Sequence, residues 1–391
     1  MAEEILSSVC QGTDDGRCGR IPQTRMSDTP PQRTRPSPGQ NRQWVLAGRP
    51  EGREVRLSDF ELVTRPIPPL RDGEVLTRAL YLSVAPVMRQ YMLQGGAGER
   101  PLQIGEVMRG RGVGVVVDSR NPRFSPGDFV QGKLGWQEHS VSDGSPYYMM
   151  YKIEQRIAPL STGIGVLGVT GFTSFLGLMR VGQLQPGDRV LVSGAAGGVG
   201  SSVAQIAKHH GASRVVGIAG GAEKCRMLVE RLGYDAAIDH RAEDLSVRIG
   251  ELLPEGFDVM FDNVGGETLD AALLHLRMDA RVVLCGRISE YLGDEEQPYA
   301  LRNYQRLHKR YASLRGFFIY RMESMFPQAE QAMAEMIRAG ALTYAEDVLD
   351  GLERMPEALI RLYSGANRGK QLVRIDPQAE AYRDHNPWRT A

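Results

Sequence analysis

A glycine-rich turn between an apolar strand and an amphipathic helix constrains this chain more than any other feature. The segment from 188 to 200 reads Asp-Arg-Val-Leu-Val-Ser-Gly-Ala-Ala-Gly-Gly-Val-Gly. Its glycines Gly194, Gly197 and Gly200 stand three residues apart. A Cβ at such positions would block a tight turn or the packing of the helix on the strand. The pattern therefore predicts one strand-helix unit of a parallel sheet.

The same turn predicts a binding site for a dinucleotide. The helix that follows offers unpaired N–H groups and a positive dipole end, both of which suit a pyrophosphate. The strand before the turn and the helix after it supply the context that a lone glycine pattern lacks. A purely structural turn is the alternative. On the dinucleotide interpretation, the cofactor contacts come from Ala196, Gly197, Gly198, Val199 and Gly200.

The residues at the end of the next strand distinguish a site for NAD from a site for NADPH. An acidic residue there would bind the 2′-hydroxyl of an adenosine ribose and favour NAD. In this chain the strand ends in glycines, including Gly220, which leaves room for a phosphate. Lys224 lies one helical turn further on and offers a point charge for that phosphate. These residues favour NADPH. The alternative is that Lys224 is a surface lysine and that Glu223 binds the ribose.

Strands and helices alternate through the second half of the chain. Helical stretches at about 198–210 and 223–232, and a third after Glu267, separate apolar runs. This alternation is typical of a doubly wound parallel sheet, so we predict an α/β dinucleotide-binding domain over residues 163–339. An apolar strand at 317–320 and a helix at 327–339 end it. The predicted strands of the sheet are 188–193, Arg214–Ala219, Phe257–Asp262 and 281–285.

The first half of the chain carries a different pattern. Between residues 41 and 162, short apolar runs near period two are split by glycine and proline, which is typical of barrel-like β structure. The predicted strands are 74–83, 111–118 and 128–131. A last strand at 369–376 is not needed by the α/β domain. We therefore expect residues 340–376 to complete the β domain.

Two polar ends flank these domains. Residues 1–40 carry five prolines among polar residues and cannot bury enough apolar surface to order themselves. We interpret them as a disordered extension, either a docking tail or the product of a misassigned start, with Met26 as the alternative first residue. Residues 377–391 are predicted to form a loose C-terminal tail.

Charge balance and cysteine content argue against several kinds of partner. Lys plus Arg and Asp plus Glu both number 47, so there is no excess charge to attract nucleic acid or an anionic membrane. No window approaches 18 consecutive apolar residues, as a membrane-spanning helix would require. The four cysteines imply no disulfide framework. We therefore expect a cytoplasmic protein whose partner is a small molecule.

With these residues in view, the chain resembles the zinc-independent medium-chain dehydrogenases/reductases, in particular the prostaglandin reductases, leukotriene 12-hydroxydehydrogenases, plant double-bond reductases and bacterial curcumin reductases. The resemblance runs from about Asn41 to Asp376. It implies a GroES-like barrel domain, a Rossmann domain, NADPH in the cleft between them, and a homodimer. It rests on the glycine turn and on six further stretches, which read Asn-Arg-Gln-Trp-Val-Leu from 41, Gly-Glu-Val-Met-Arg-Gly-Arg-Gly-Val-Gly from 105, Gly-Val-Thr-Gly-Phe-Thr-Ser from 168, Phe-Asp-Asn-Val-Gly-Gly from 261, Cys-Gly-Arg-Ile-Ser from 285 and Asn-Arg-Gly-Lys from 367.

The resemblance also implies individual cofactor contacts. Lys224 matches the family's lysine for the 2′-phosphate. His240 stands where relatives often carry a tyrosine beside that phosphate, although it could equally be a surface histidine. Asn263 matches a residue that lies along the ribose. The other implied contacts are Thr173, Asn367, the nicotinamide-flanking residues Cys285, Gly286, Ile288 and Tyr291, and the strand residues Phe317, Phe318 and Ile319 over the nicotinamide.

The cysteines and histidines do not make a zinc site. A catalytic zinc needs a convergent set of Cys, His or Glu ligands. Cys10 and Cys18 lie in the polar extension, and Cys225 lies in a predicted helix. With no Lewis acid to hold an alkoxide, alcohol oxidation is disfavoured. Reduction of an activated C=C bond needs only a hydride at the β-carbon, a donor to the carbonyl oxygen and a proton for the α-carbon.

Two departures from the family pattern concern the substrate end of the site. Relatives carry Asp and Tyr in a Leu-Ser-x-Asp-Pro-Tyr-Met-Arg stretch, where this chain has Ala85 and Val87. Loss of that tyrosine widens the pocket and removes a hydroxyl. Relatives also carry a tyrosine where this chain has Glu323, so the candidate catalytic residues are Tyr320, from a shifted position, and Tyr81. The alternative is that both are packed residues and that water or the cofactor ribose delivers the proton.

These inferences predict an NADPH-dependent reductase of 2-alkenals and 2-enones that acts on small to medium apolar substrates. A quinone reductase is one alternative, because the same cofactor geometry permits it. An NADPH-binding sensor without turnover is the other, and the substitutions at Ala85 and Val87 keep it open.

Overall fold

Two hydrophobic patterns in the sequence produce two large sheets in the computed structural model, which describes residues 39–94, 100–153, 157–291 and 299–380. The predicted extension at 1–40 lies outside the described residues except for its last two. The strands are Gln40–Leu46 (β1), Phe60–Pro66 (β2), Val75–Ser83 (β3), Arg111–Ser119 (β4), Phe129–Lys133 (β5), His139–Ser142 (β6), Tyr151–Lys152 (β7), Arg189–Val192 (β8), Arg214–Ala219 (β9), Ala236–Asp239 (β10), Phe257–Asp262 (β11), Leu276–Leu284 (β12), Ser313–Gly316 (β13), Glu346–Asp350 (β14) and Lys370–Arg374 (β15).

Helices connect and cover these strands. A π-helix at Gly177–Val181 and short 3-10 turns, two of which meet at a kink at Met322 within Ile319–Met325, accompany the α-helices. Both sheets belong to one compact unit. The α-helices of the described residues are Val87–Met92 (α1), Val169–Leu176 (α2), Gly200–His209 (α3), Ala222–Arg231 (α4), Leu245–Leu252 (α5), Gly266–Ala272 (α6), Gln305–Lys309 (α7), Phe326–Arg338 (α8) and Met355–Ser364 (α9).

The second half of the chain forms a parallel sheet in the order β10-β9-β8-β11-β12-β13. The chain starts at the centre with β8, moves outward to β10 and then returns to the other side of β8 with β11. A crevice forms at such a reversal, outside the carboxyl ends of the two central strands, and ligands of doubly wound sheets bind there. The doubly wound fold and its strands Arg214–Ala219 and Phe257–Asp262 are confirmed.

The central strands are apolar along nearly their whole length because helices cover both faces of the sheet. Val190, Leu191 and Val192 of β8 are 0% exposed, as are Val259 and Phe261 of β11. Burying each such side chain contributes about 1.5–3 kcal/mol, so this pair of strands gives the crevice a rigid floor.

The first half forms a mainly antiparallel sheet in the order β14-β15-β3-β4-β5-β7, with β6 paired to β3. Strand β15 runs antiparallel to β3, with Leu372 opposite Ser83 and Val373 opposite Leu82. This pairing confirms that the last predicted strand returns to the β domain. Strands β1 and β2 form a separate antiparallel pair.

Two predictions of local structure are wrong. The apolar run at 317–320 is not a strand: β13 ends at Gly316, and Ile319 begins a 3-10 helix. Strand β13 lies at the edge of the sheet and is largely exposed, which is why polar residues are accommodated there. The apolar side chain of Phe317 packs near Gly177 instead of continuing the sheet. The tail is not loose from Pro377 onward, because Ala379 is buried with Leu80 and Leu372. Residues 381–391 lie outside the described residues.

Close packing of β3 on β4 generates a stability prediction. A Cβ at Gly114 in β4 would lie 2.5 Å from the carbonyl oxygen of Arg78 and 2.5 Å from Thr77 Cγ2, so Gly114→Ala forces backbone to move. Overpacking of this kind costs about 1–3 kcal/mol. We expect a lower urea midpoint for Gly114→Ala. Gly316→Ala is the matched control, because nothing lies within 4 Å of its Cβ position; equal midpoints for the two variants would contradict the packing argument.

Candidate functional site

A cavity of about 600 Å³ opens where the carboxyl ends of the central parallel strands face the end of β3 and the start of β15. Its volume is in the range of small-molecule sites, which are typically ~300–1,000 Å³. Residues from both sheets line it. The lining includes Val84, Ala85, Pro86, Val87, Thr170, Gly194, Ala196, Gly197, Gly198, Val199, Gly200, Gly220, Lys224, His240, Arg241, Asn263, Val264, Thr268, Cys285, Gly286, Ile288, Ser289, Tyr291, Leu362, Tyr363, Gly365, Asn367, Gly369, Lys370 and Gln371.

The glycine turn forms the narrow floor of this cavity. Gly194 has a φ of +57°, which favours glycine. A Cβ at Gly200 would lie 2.5 Å from the carbonyl oxygen of Gly194 and 2.6 Å from Ala195 Cα, so only glycine lets α3 begin so close to the turn. Since residues 196–200 line the cavity, the positive end of α3 faces it. This arrangement fits a pyrophosphate.

The turn is tied to the antiparallel sheet through Gly369. Its N–H donates to the carbonyl oxygen of Ala196 over 2.9 Å, and Gly197 and Gly369 form an isolated parallel bridge. Gly369 has a φ of +76°, and a Cβ there would lie 2.2 Å from the carbonyl oxygen of Ala345. The start of β15 can therefore reach the turn only with glycine at this position.

A buried carboxylate organises the loops that follow β11 and β12. Asp262 is 0% exposed and accepts hydrogen bonds from Ser193 Oγ at 2.5 Å and from the N–H of Gly265 at 3.1 Å. Its backbone oxygen accepts the N–H of Cys285 at 2.8 Å. Burial raises the pKa of Asp262 despite these donors. Asn263 is held alongside, because its Nδ2 donates to the carbonyl oxygen of Ser193 over 2.7 Å.

Three basic side chains meet at one end of the cavity. A Cβ at Gly220 would lie 2.9 Å from His240 Nε2 and 2.8 Å from Arg241 Nε. A Cβ at Gly365 would lie 3.2 Å from Arg241 Nη2 and 3.9 Å from Lys224 Nζ. We call Lys224, His240 and Arg241 the basic cluster. Such a cluster beside two glycines fits a phosphate on the adenosine ribose.

The acidic neighbour of Lys224 takes no part in this arrangement. The Glu223 carboxylate pairs with Arg368 at 2.7 Å, and both side chains are about 60% exposed (61% and 59%). Glu223 does not line the cavity. Burial lowers the pKa of Lys224, and the charges of Arg241 and Arg368 lower it further, while Asp347 opposes them. An anion among these groups would relieve their mutual repulsion.

Most of the predicted cofactor residues lie on the cavity. They are Ala196, Gly197, Gly198, Val199, Gly200, Gly220, Lys224, His240, Asn263, Cys285, Gly286, Ile288, Tyr291 and Asn367.

Other predicted residues lie elsewhere. The Thr173 hydroxyl donates to the carbonyl oxygen of Val169 at 2.6 Å, inside α2. Phe318 is 59% exposed and contacts Tyr320 edge to face, with ring centroids 5.1 Å apart. Tyr81 is 4% exposed in the core beside Leu80. Phe317, Ile319, Tyr320 and Tyr81 are not among the lining residues.

Glu323, which replaces a tyrosine of the relatives, also faces away from this cavity. It accepts a hydrogen bond from the hydroxyl of Tyr151. Both residues line a separate cleft of about 970 Å³ between β7 and the start of α8. Tyr320 and the residues around Glu323 therefore do not supply a phenol hydroxyl to the cofactor cavity.

The structure adds Lys370, which sequence reasoning passed over although the Asn-Arg-Gly-Lys stretch contains it. Lys370 is 8% exposed, and its Nζ donates to the carbonyl oxygen of Val84 over 2.8 Å. Burial lowers the pKa of Lys370 to about 8, and Glu346 opposes that shift. A Cβ at Gly198 would lie 3.0 Å from Lys370 Cδ. Lys370 therefore joins the end of β3 to the glycine turn.

Besides the hydrogen bond from Lys370 to Val84, further hydrogen bonds fix the apolar mouth, which residues 84–87 form. The Tyr363 hydroxyl donates to the carbonyl oxygen of Pro86 at 2.6 Å. The buried guanidinium of Arg89 donates to the carbonyl oxygens of Tyr291 and of Pro50, the latter at 2.9 Å. The mouth is thus held from α9, from β15 and from the loop after β12.

The thiol and phenols on the cavity are neutral near pH 7. Burial raises the pKa of the Cys285 thiol to about 12, so it is no thiolate nucleophile. Burial also raises the pKa of Tyr291 and Tyr363. The described residues hold no cluster of three His, Cys, Asp or Glu side chains that could bind a metal ion. In the same part of the chain, no helix has the length and apolar character needed to cross a membrane.

Comparison with known proteins places this geometry in a family. A model described as the N-terminal domain of oxidoreductase matches residues 42–150, and one described as zinc-binding dehydrogenase matches residues 198–335. The chain is 38% identical to the NADPH-dependent curcumin reductase of Escherichia coli over 339 residues, 86% of this chain and 97% of the relative. It is 37% identical to the NADP-dependent 2-alkenal reductase of Nicotiana tabacum over 309 residues, 78% of this chain and 89% of the relative.

A solved structure agrees with these sequence matches. The crystal structure of CurA in complex with NADPH from Vibrio vulnificus has a TM-score of 0.80 and 36% identity, covering 86% of this chain and 99% of that one. The predictions of fold, family and cofactor are confirmed. The chain therefore belongs to the zinc-independent medium-chain dehydrogenases/reductases, in the group of curcumin, prostaglandin and alkenal reductases, and is an NADP-dependent oxidoreductase.

Proposed function

We propose that this protein reduces the C=C bond of α,β-unsaturated aldehydes and ketones, adding a hydride at the β-carbon and a proton at the α-carbon. One observation carries the proposal: the cavity joins a phosphate-binding floor to an apolar mouth without a charged side chain at residues 84–87. Relatives named curcumin reductase and 2-alkenal reductase, both NADP-dependent, support this substrate class.

The floor and the basic cluster hold the cofactor on this proposal. The amides of residues 196–200 bind the pyrophosphate, and Lys224 binds the 2′-phosphate. Asn263 and the loop carrying Cys285, Gly286, Ile288 and Tyr291 bind the ribose and nicotinamide end, with Asn367 opposite. When bound, NADPH supplies the hydride. Holding nicotinamide and alkene at a reactive distance and angle provides most of the rate enhancement.

The mouth selects the substrate through shape and polarity. Ala85, Pro86 and Val87 present small apolar side chains, with Leu362 nearby on the lining. They exclude water from the reacting carbons and leave space for an aliphatic chain or an aryl ring. Small to medium apolar enals and enones fit this mouth better than charged substrates do, because the described mouth residues offer no charge to pair with them.

The proton for the α-carbon comes from water or through the cofactor ribose, on our proposal. Tyr81 and Tyr320, the catalytic tyrosines predicted from the sequence, do not line the cavity. Tyr291 and Tyr363 do line it, but the hydroxyl of Tyr363 is engaged with Pro86. No single phenol is therefore indispensable.

Conservative tyrosine variants test this proton route. We expect Tyr81→Phe, Tyr320→Phe and Tyr291→Phe each to retain kcat within about tenfold of the wild type, because general acid catalysis by an essential group typically contributes ~10²–10⁴-fold. Steady-state kinetics with one enal substrate measure this. A hundredfold loss of kcat in any one variant, with NADPH affinity unchanged, would identify that tyrosine as the acid.

The activity itself is tested by nicotinamide absorbance decay with NADPH or NADH and three substrates: an aliphatic enal, an aryl enone and a quinone. We expect NADPH consumption with the enal and the enone and a saturated carbonyl product by mass spectrometry. Consumption only with the quinone would replace the proposal with quinone reduction. Tight NADPH binding with no consumption would indicate a sensor.

The role of Lys224 is tested by cofactor titrations. Lys224→Ala should weaken NADPH binding by about tenfold or more and leave NADH binding nearly unchanged, since a hydrogen bond to a charged group contributes ~1.5–3 kcal/mol. Lys208→Ala is the matched control, because Lys208 pairs with Asp235 on the outer face of α3. Equal weakening of both cofactors would contradict the assignment. A loss of NADH affinity in Glu223→Ala would favour the alternative in which Glu223 binds the ribose.

The homodimer, the cytoplasmic location and the domain boundaries at 41–162 and 163–339 stay predictions. Strand β13 supports the homodimer: it is the last strand of the parallel sheet and pairs with β12 on one side, with Ser313, Arg315 and Gly316 exposed. Among the described residues no strand pairs with its other edge, and an edge of this kind is suited to pairing with a second chain.

A further inference from the structure

The basic cluster combines one imidazole, which can be neutral or protonated, with a lysine and an arginine. Lys224 projects from α4, while His240 and Arg241 follow directly after β10. His240 Nε2 and Arg241 Nε both approach Gly220, and Arg241 and Lys224 both approach Gly365 at the end of α9. A dianionic phosphate between these two glycines would contact all three side chains.

The carboxylates around the basic cluster have partners of their own. Asp239 Oδ1 accepts the N–H of Gly221 at 2.7 Å and that of Arg241 at 3.1 Å. Glu243 pairs with Arg248 at 2.6 Å. Asp347 pairs with Arg361 at 2.9 Å, and Glu223 pairs with Arg368. The basic cluster is therefore arranged toward an external anion.

The surroundings of His240 disfavour a proton on its ring before an anion binds. Partial burial lowers its pKa, the charges of Arg241 and Lys224 lower it further, and Asp239 opposes them. A phosphate dianion would reverse this balance, because an opposite charge within a few ångströms favours the protonated imidazole.

We propose that His240 takes up a proton when the 2′-phosphate of NADPH binds, so that the preference for NADPH over NADH strengthens as the pH falls from 8 to 6.5. Arg241 and Lys224 supply the permanent positive charge of the same site. The inference rests on the proposed placement of the 2′-phosphate at Lys224. A tyrosine at this position would donate its hydroxyl equally at pH 6.5 and pH 8 and would give no such dependence.

Cofactor titrations at pH 6.5, 7.25 and 8 test the inference at constant low ionic strength. We expect the ratio of the NADH Kd to the NADPH Kd to rise roughly fivefold from pH 8 to pH 6.5, because linkage converts bound protons into affinity. The range stops at pH 6.5 because the phosphate itself has a second pKa of about 6. Calorimetry in two buffers of different ionisation enthalpy should show greater net proton uptake with NADPH than with NADH, because any uptake at Lys370 beside the glycine turn is common to both cofactors.

Two variants separate His240 from the other groups. His240→Gln keeps a hydrogen-bond donor without a titrating ring, and His240→Tyr installs the residue of the relatives. Both should flatten the pH dependence of the Kd ratio and abolish the excess proton uptake with NADPH over NADH. Unchanged NADH binding in each variant verifies that the fold and the rest of the site are intact.

The outcomes distinguish this inference from the proposed function. A wild-type ratio that favours NADPH but does not change with pH would overturn the inference alone, as would an unchanged slope in His240→Gln. Equal affinity for NADH and NADPH at every pH would overturn the placement of the 2′-phosphate itself.

Discussion

The contact between Gly369 and the glycine turn is the constraint on which the rest of the structure depends. It brings Gly369, the residue just before β15, against the backbone of Ala196 and Gly197. Glycine is required at this position because its φ is +76° and a Cβ there would collide with the carbonyl of Ala345. With this contact made, β15 lies beside β3 in the antiparallel sheet while its start becomes a wall of the cofactor cavity.

The sequence predicted the parallel sheet well where strands are buried on both faces. Strands β9 and β11 were predicted at their observed bounds, because each is a short, mainly apolar run that lies between helical stretches of the sequence. Strand β13 was misplaced because an edge strand is polar, and the apolar run after it packs on helices. Tyr81 lies near the mouth in sequence, but it is buried in one cluster with Leu80 and Leu372, and the register shift between Ala79 and Tyr81 in β3 cannot be predicted from strand alternation.

The residues of the cofactor cavity likewise fall into two groups, those that the sequence could identify and those that it could not. The glycine turn and Lys224 could be found because local sequence sets both their conformation and their chemistry, whereas the loop after β12 was expected at the cofactor only through the family resemblance. Arg241 and Lys370 could not, because their relevance arises from neighbours that are distant in the chain. Lys370 meets Val84, and Arg241 meets Gly365 at the end of α9. Only tertiary structure brings these pairs together.

The hydrogen bond between Lys370 and Val84 also bears on how the chain folds during synthesis. It joins residues 286 positions apart, and β15 adds the strand next to β3. During synthesis β3 emerges long before β15, so it lacks its neighbour on that side until residues 370–374 have been made. Long-range pairing of this kind slows folding and leaves an open strand edge in the meantime. A chain truncated before β15 would lack this neighbour of β3 together with Gly369 and Lys370 on the lining of the cofactor cavity.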